Sequence, residues 1–211
     1  IDKVVVATGD KILNEDLIKA VKKNKNECFI GDEYDVLSRY YKCAKKYKAK
    51  NIVRITGDCP FIDGEIVDNL IKIYNKNNAD YASNTLQPTF PDGMDAEIFN
   101  FISLEKANKF SRKKNYREHV TPYIIKKFNF KKVNYLLKKD YSNYRITLDN
   151  YDDLVRINNI FTKFKNKKNT NYKNILKYIE ANPSIFKVKS SIRNLGSKTI
   201  NGQKLWERAK Q

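Results

Sequence analysis

Over the first third of the chain, apolar residues come in short unbroken runs, separated by stretches where they recur every three or four positions. Val4–Ala7 reads as a buried strand. Leu17, Ile18 and Val21 follow at helical spacing behind Asn14, a residue type that caps helices. Cys28–Ile30 gives a second short strand, and Asp35 then caps a helix with Leu37, Tyr40, Tyr41 and Ala44 along one side. Ile52–Thr56 forms the third strand, and Ile66, Leu70 and Ile73 set a helix over Ile66–Tyr74. Strand and helix in strict alternation predict an α/β fold with a largely parallel, doubly wound sheet.

The second half is less regular. Tyr81–Ser83 reads as a strand, and Pro88, Pro91 and Gly93 punctuate a loop that ends in a strand around Ala96–Phe99. Helices are expected near Ser103–Phe110, Glu118–Lys127, Asp152–Phe164 and Tyr172–Glu180. Lys132–Tyr135 and Tyr144–Thr147 are expected as strands. After Pro183 the chain turns polar and loop-like, then carries an amphipathic fragment over Leu205–Ala209, so one domain over 1–183 and a tail over 184–211 are expected.

The apolar fraction of 41% supports a globular core, and no apolar run approaches the roughly 18 residues a membrane helix needs. A soluble, cytoplasmic protein with no membrane partner is therefore expected. The formal charge of +18 raises the idea of a nucleic-acid surface. Yet 34 of the 42 basic residues are lysine, whereas arginine is the better fork for phosphates and base edges. The lysines run the length of the chain among Asn, Tyr and Ile, so solvated lysine faces are expected rather than a nucleic-acid partner. Their charge can still attract an anionic substrate such as a nucleoside triphosphate. Cys28, Cys43 and Cys59 are odd in number and lack Cys-x-x-Cys spacing, which points to reduced thiols rather than disulfides or zinc.

The chemistry concentrates in Asn51–Asp63 (NIVRITGDCPFID). An apolar strand runs into Gly57, Asp58, Cys59 and Pro60, and a helix follows at once, which sets the Asp58 carboxylate at the carboxyl end of a strand. Open α/β sheets bind ligands at that edge. A carboxylate there, with Gly57 allowing close approach, suits a hard metal ion and the phosphates it carries. A strand ending in an ordinary turn would read the same way. Arg54 and Arg145 each stand four residues before an aspartate, so each faces the same side as its aspartate and reaches phosphate or pairs with nearby acids.

Arg54–Asp63 (RITGDCPFID), Asp80–Phe99 (DYASNTLQPTFPDGMDAEIF) and Arg145–Leu154 (RITLDNYDDL) stand out together. With Gly31–Tyr41 (GDEYDVLSRYY) and Arg117–Ile124 (REHVTPYI), the chain resembles the cytidylyltransferases of surface-polysaccharide synthesis. The likeness is to the spore-coat polysaccharide type, related to the acylneuraminate and 3-deoxy-manno-octulosonate cytidylyltransferases, and it runs in order over Ile1–Pro183. It implies a nucleotide-diphospho-sugar transferase fold, Rossmann-like, with a mixed, mainly parallel sheet flanked by helices. The implied activity is transfer of CMP from CTP to a sugar or sugar acid with release of pyrophosphate, by a homodimer. It implies further that Asp58 and Asp149 hold Mg²⁺ and are the catalytic pair. A cation held by one or two carboxylates can neutralise charge growing at the α-phosphate, although an aspartate before a helix is also a common cap.

On the same likeness Phe90–Glu97 is the acceptor-side loop. Asp92, Asp95 and Glu97 are suited to accept hydrogen bonds from sugar hydroxyls and Gly93 permits the turn, although solvated acids around a turn would read alike. Asn84 and Thr85 belong to that edge as weaker candidates. His119, the single histidine, is a candidate for substrate contact or for helix packing.

The family opens with a strand and a basic loop of the form Arg-x-x-Ser-x-Arg-Leu-Pro-x-Lys, and no such stretch occurs in these 211 residues. The expectation is a segment of a longer chain, its first strand missing and its activity poor in isolation. Asn201–Lys210 (NGQKLWERAK) resembles the opening helix of class III aminotransferases, which implies a fused aminotransferase domain. Two other readings stay open. One is a glycosyltransferase of the same fold using a nucleotide-sugar donor, although Gly-Asp-Cys-Pro stands where such enzymes carry Asp-x-Asp. The other is a non-catalytic domain that binds nucleotide or nucleic acid.

Overall fold

Asparagine and aspartate side chains start most of the long helices, and they divide the chain into strand–helix units. A computed structural model describes residues 1–165, 170–188, 199–200 and 203–204. Its elements run in the order β1 (Val5–Thr8), α1 (Glu15–Lys23), β2 (Glu27–Ile30), α2 (Val36–Lys46), β3 (Asn51–Arg54), α3 (Gly64–Lys76), β4 (Tyr81–Ser83), β5 (Glu97–Asn100), α4 (Phe101–Phe110), α5 (Lys114–His119), α6 (Pro122–Lys126), β6 (Lys132–Asn134), α7 (Tyr151–Phe164), α8 (Tyr172–Ala181) and α9 (Pro183–Phe186). Thr199–Ile200 and Gln203–Lys204 form a short antiparallel pair. The stretch expected as an amphipathic fragment over Leu205–Ala209 lies outside the described residues, as does most of the aminotransferase-like segment.

The chain forms two units, residues 1–52 with 99–132 and residues 53–98 with 133–211. In the first, β1 and β2 pair in parallel from Val5 opposite Glu27 to Thr8 opposite Ile30. Ile18 and Val21 of α1 and Leu37 and Ala44 of α2 are buried, as the helical spacing predicts, but Leu17 of the same expected stripe is exposed. Asp35 caps α2 by accepting from the Ser38 amide at 3.0 Å. Asn14 sits at the start of α1 but does not cap it with its side chain. Its Nδ2 donates instead to the Asp10 carbonyl and to Glu33 Oε2. The helix expected over Glu118–Lys127 is two short ones. Val120 takes a positive φ of 68° between them, and Pro122 stands at the start of α6. Arg117 of α5 donates to Asp35, Asn108 and Ser111, which ties α5 to α4 and to the start of α2.

Most residues of the four-stranded sheet, in the order β3-β5-β4-β6, belong to the second unit. One core gathers Ile66, Phe90, Met94, Ile146, Ile160 and Phe186, and another gathers Leu70, Tyr74, Ala82, Ala96 and Ile98. Phe186 is fully buried, so packing continues past Pro183. Tyr144–Thr147, expected as a strand, shows only isolated bridges, from Arg145 to Asp92 and from Tyr144 to Lys187. It is extended, but its partners are loops. Among the described residues no helix is long and apolar enough to cross a membrane.

Candidate active site

The segment after β3 folds back on itself at once. The Cys59 amide donates to the Thr56 carbonyl at 3.2 Å, and the Thr56 hydroxyl donates to Asp58 Oδ1, which fixes that carboxylate. Asp63 then caps α3 by accepting from the Glu65 amide at 2.7 Å, and its second oxygen accepts the Tyr172 amide at 2.8 Å. Cys59 is buried. Burial, with the charges of Asp95 and Asp58, pushes its thiol up to about 12, so it is a packing residue and not a nucleophile. Gly57 is exposed, and a Cβ there would meet no protein atom within 4 Å, so packing within the chain makes no demand for glycine.

Main-chain bonds join this turn to Asp149. The Asp58 carbonyl accepts from the Leu148 amide at 2.9 Å and from the Thr147 hydroxyl at 3.1 Å. The next residue along is Asp149. It is not the cap of α7, because Asn150 takes that place by accepting from the Asp153 amide at 3.0 Å. The Asp149 side chain keeps 49% of its surface exposed.

Behind Asp149 lies Arg145, whose side chain is 2% exposed. Its guanidinium donates to both oxygens of Asp153 at 2.7 Å, to Asp92 Oδ2 at 2.7 Å and to Asp149 Oδ2 at 2.5 Å. Burial works against the Arg145 charge, but the hydrogen bonds and charge of Asp153, with Asp92 and Asp149, outweigh it and raise its pKa. Asp149 is shifted up from the ordinary aspartate value. Burial is the main cause and the charges of Asp58 and Asp153 add to it, while Arg145 opposes. The Asp58 charge thus bears on the Asp149 carboxyl, and a cation beside them would relieve that repulsion. Their oxygens are hard donors, as Mg²⁺ prefers. Among the described residues no group of three or more potential ligands gathers, so such an ion would keep water or substrate phosphate in its shell.

The acceptor-side expectations need correction. Asp92 is buried on Arg145. Glu97 is buried between Arg54, which donates to it at 2.5 Å, and Tyr81, which donates at 2.6 Å. Asn84 is fully buried, its amide donating to the Met94 carbonyl at 2.7 Å and its oxygen accepting from the Ala96 amide at 2.9 Å. Through Arg145, Asp92 braces Asp149 from behind, while Glu97, Asn84 and Arg54 turn to buried partners of the second unit. The parity that put each arginine on one side with its aspartate holds for Arg145, but Arg54 turns to Glu97. Gly93 is required by geometry, with φ +106° and a would-be Cβ only 2.4 Å from the Thr147 nitrogen. Thr85 and Asp95 are half-buried, and Thr85 shares a hydrogen bond with Ser83. His119 ends α5 in the first unit.

The sequence reading gave no part to Asp153, Tyr81, Thr56 or Thr147. Asp153 was detectable in principle, because it falls on the buried face of α7 in register with Ile157 and Ile160. An aspartate at a core position of a helix needs a buried partner.

The family profile described as Cytidylyltransferase matches residues 1–182. An uncharacterized protein of Methanocaldococcus jannaschii is 34% identical over 196 residues, covering 92% of this chain and 79% of that protein. The spore coat polysaccharide biosynthesis protein SpsF of Bacillus subtilis is 28% identical over 186 residues, covering 86% and 76%. Among solved structures, a cytidylyltransferase from Leptospira borgpetersenii superposes with a TM-score of 0.81 at 35% identity, over 93% of this chain and 80% of that one. A CMP:2-keto-3-deoxy-manno-octonic acid synthetase complexed with CTP shares the fold, with a TM-score of 0.55 at 12% identity over 78% and 81% of the two chains.

Proposed function

The chain belongs to the cytidylyltransferase family, and on that premise we propose that it transfers the cytidylyl group of CTP to a sugar or sugar-acid acceptor, in the synthesis of a surface polysaccharide. An acceptor oxygen bonds to the α-phosphorus as the bond to the α,β-bridging oxygen breaks, pyrophosphate leaves with that oxygen, and a hydroxyl acceptor gives its proton to solvent. Charge grows on the non-bridging α-oxygens and on the leaving group, so positioning and electrostatics carry the reaction without a covalent protein nucleophile. The buried, proton-retaining Cys59 fits that economy.

The observation that carries the reading is the tie of the Asp58 carbonyl to Thr147 and Leu148, which holds two carboxylates from distant parts of the chain at one place. We assign Asp58 and Asp149 as the residues that hold Mg²⁺. When bound, the ion supplies neutralisation of phosphate charge. Thr56 fixes the carboxylate of Asp58, and Arg145 fixes that of Asp149. Thr85 and Asp95 remain the acceptor-side candidates. The family likeness also carries a homodimer, which sedimentation velocity would read as a doubled mass, and a cytoplasmic setting.

Product analysis tests the reaction. The chain is incubated with CTP, Mg²⁺ and a panel of sugar acids and sugar phosphates. A CMP-linked product with pyrophosphate supports the proposal. A nucleoside diphosphate released from a nucleotide-sugar donor would replace it with glycosyl transfer, and no trace of CMP-linked product at high protein concentration and long incubation, where even poor activity accumulates, would overturn it.

A further inference from the structure

Charge is not evenly spread along this chain. From Lys106 to Lys132, ten of 27 residues are lysine or arginine and one, Glu118, is acidic, so this stretch holds half of the net +18. Lysines do run the length of the chain, and this stretch is a long one with a single acid. All of it lies in the first unit, where folding gathers it further. Phe110 of α4 stacks on Tyr123 of α6 with ring centroids 6.5 Å apart, and Tyr123 meets Phe130 edge-on at 6.2 Å. The ammonium groups of Lys109, Lys127 and Lys106 lie 5.4, 5.6 and 5.9 Å from the centres of these three rings. Lys126 and Lys113 converge on Tyr116 at 5.2 and 5.7 Å. Contacts between rings and ammonium groups thus join α4, α5, α6 and the loop after α6 into one basic face.

At the loop between α6 and β6, Phe128 is 95% exposed, with Lys126, Lys127 and Lys131 exposed beside it. We propose that this face docks on an anionic lipid surface, with the Phe128 ring entering the headgroup region while the neighbouring lysines meet lipid phosphates. A bilayer asks for diffuse positive charge and an apolar protrusion, and both are present at one loop. A nucleic acid would ask for arginine forks and open ring faces. Of the two arginines in the stretch, Arg117 is committed to Asp35, Asn108 and Ser111, while the Phe130 ring is buried and the Tyr123 ring is stacked against Phe110. The expectation of no membrane partner rested on the lack of a spanning segment, and a face that lies on the surface needs none.

Each lysine near an anionic surface contributes about 1 kcal/mol, or a factor of about five in partitioning. The test is sedimentation of the full 211-residue chain with vesicles of phosphatidylcholine alone and of phosphatidylcholine mixed with phosphatidylglycerol. Binding is expected to the mixed vesicles only, weakening as salt is added. The triple variant K126E/K127E/K131E should lose at least about 100-fold, and Phe128→Ala should lose several-fold with the salt dependence unchanged. K22E/K23E/K25E makes the same charge change at the end of α1 and should bind far better than K126E/K127E/K131E; circular dichroism confirms that all variants fold. Absence of binding to mixed vesicles, or equal losses in the two triple variants, would overturn the proposal. So would a single-stranded oligonucleotide bound through the same lysines while vesicles stay unbound. An oligomer that the K126E/K127E/K131E change splits, again without vesicle binding, would assign the face to a second copy instead.

Discussion

Arg145 donates from Nη2 to Asp149 Oδ2 at 2.5 Å while its other donors are spent on Asp92 and Asp153. One buried cation thus organises three carboxylates, of which Asp149 keeps about half of its side chain exposed. Replacing Arg145 with Met takes away the buried cation that Asp92 and Asp153 share, leaving Asp153 to Arg156, a change that costs about 3–5 kcal/mol. Urea unfolding should show a loss of that size. A loss below about 1 kcal/mol would mean that the network does not hold this unit together.

Asp58→Asn and Asp149→Asn keep the shape of each side chain and remove one negative charge. Each should lower kcat for cytidylyl transfer by about 100-fold or more, as loss of a major electrostatic contact does. Mn²⁺ affinity measured by electron paramagnetic resonance should fall alongside. Full Mn²⁺ affinity in both variants would take the pair out of the metal site.

The metal-free protein should lose stability as pH rises through the folded pKa of Asp149. That pKa lies above the ordinary 3.8, with burial the main cause and the Asp58 charge adding. The folded state therefore keeps this proton longer than the unfolded chain does. The resulting stabilisation is complete below the ordinary value and disappears as pH climbs through the raised one. Denaturation at a series of pH values should show the fall, and Asp149→Asn should flatten it. Identical slopes in the two proteins would assign the titration elsewhere.

Gly93→Ala meets two obstacles, a φ of +106° and a collision of its Cβ with the backbone of Ile146 and Thr147. A loss of about 2–3 kcal/mol in thermal or chemical unfolding is expected. Because Thr147 also bonds the Asp58 carbonyl, kcat should fall at temperatures where the variant is still folded.

Much of the fold was legible because its signals are local. Short apolar runs and helical spacing locate β1 to β4 and α1 to α4 within a few residues, and Asp35 caps where an aspartate should. The misses arise where partners are remote in sequence. Tyr144–Thr147 has the composition of a strand, but its long-range backbone bonds go to Asp92, in a loop, and to Phe186, at a helix end. Val120 at positive φ breaks a helix that its composition does not mark, since a β-branched residue seldom takes that conformation. The same limit governs the site. Asp58 and Asp149 are visible as residues at the ends of extended segments. That Asp92, Glu97 and Asn84 turn inward is settled by Arg145, Tyr81 and the Met94 and Ala96 backbone, which no spacing rule names.

The bond between the Asp58 carbonyl and the Leu148 amide spans 90 positions of chain. Closing a loop of that length costs entropy that no local helix has to meet, so such contacts form late in folding. Helical content can return during refolding before this loop has closed, and at that stage the two aspartates are still apart. Recovery of Mn²⁺ binding should therefore lag the far-ultraviolet signal, which would make the proposed Asp58–Asp149 metal site a clock for the last long-range step in assembling this unit.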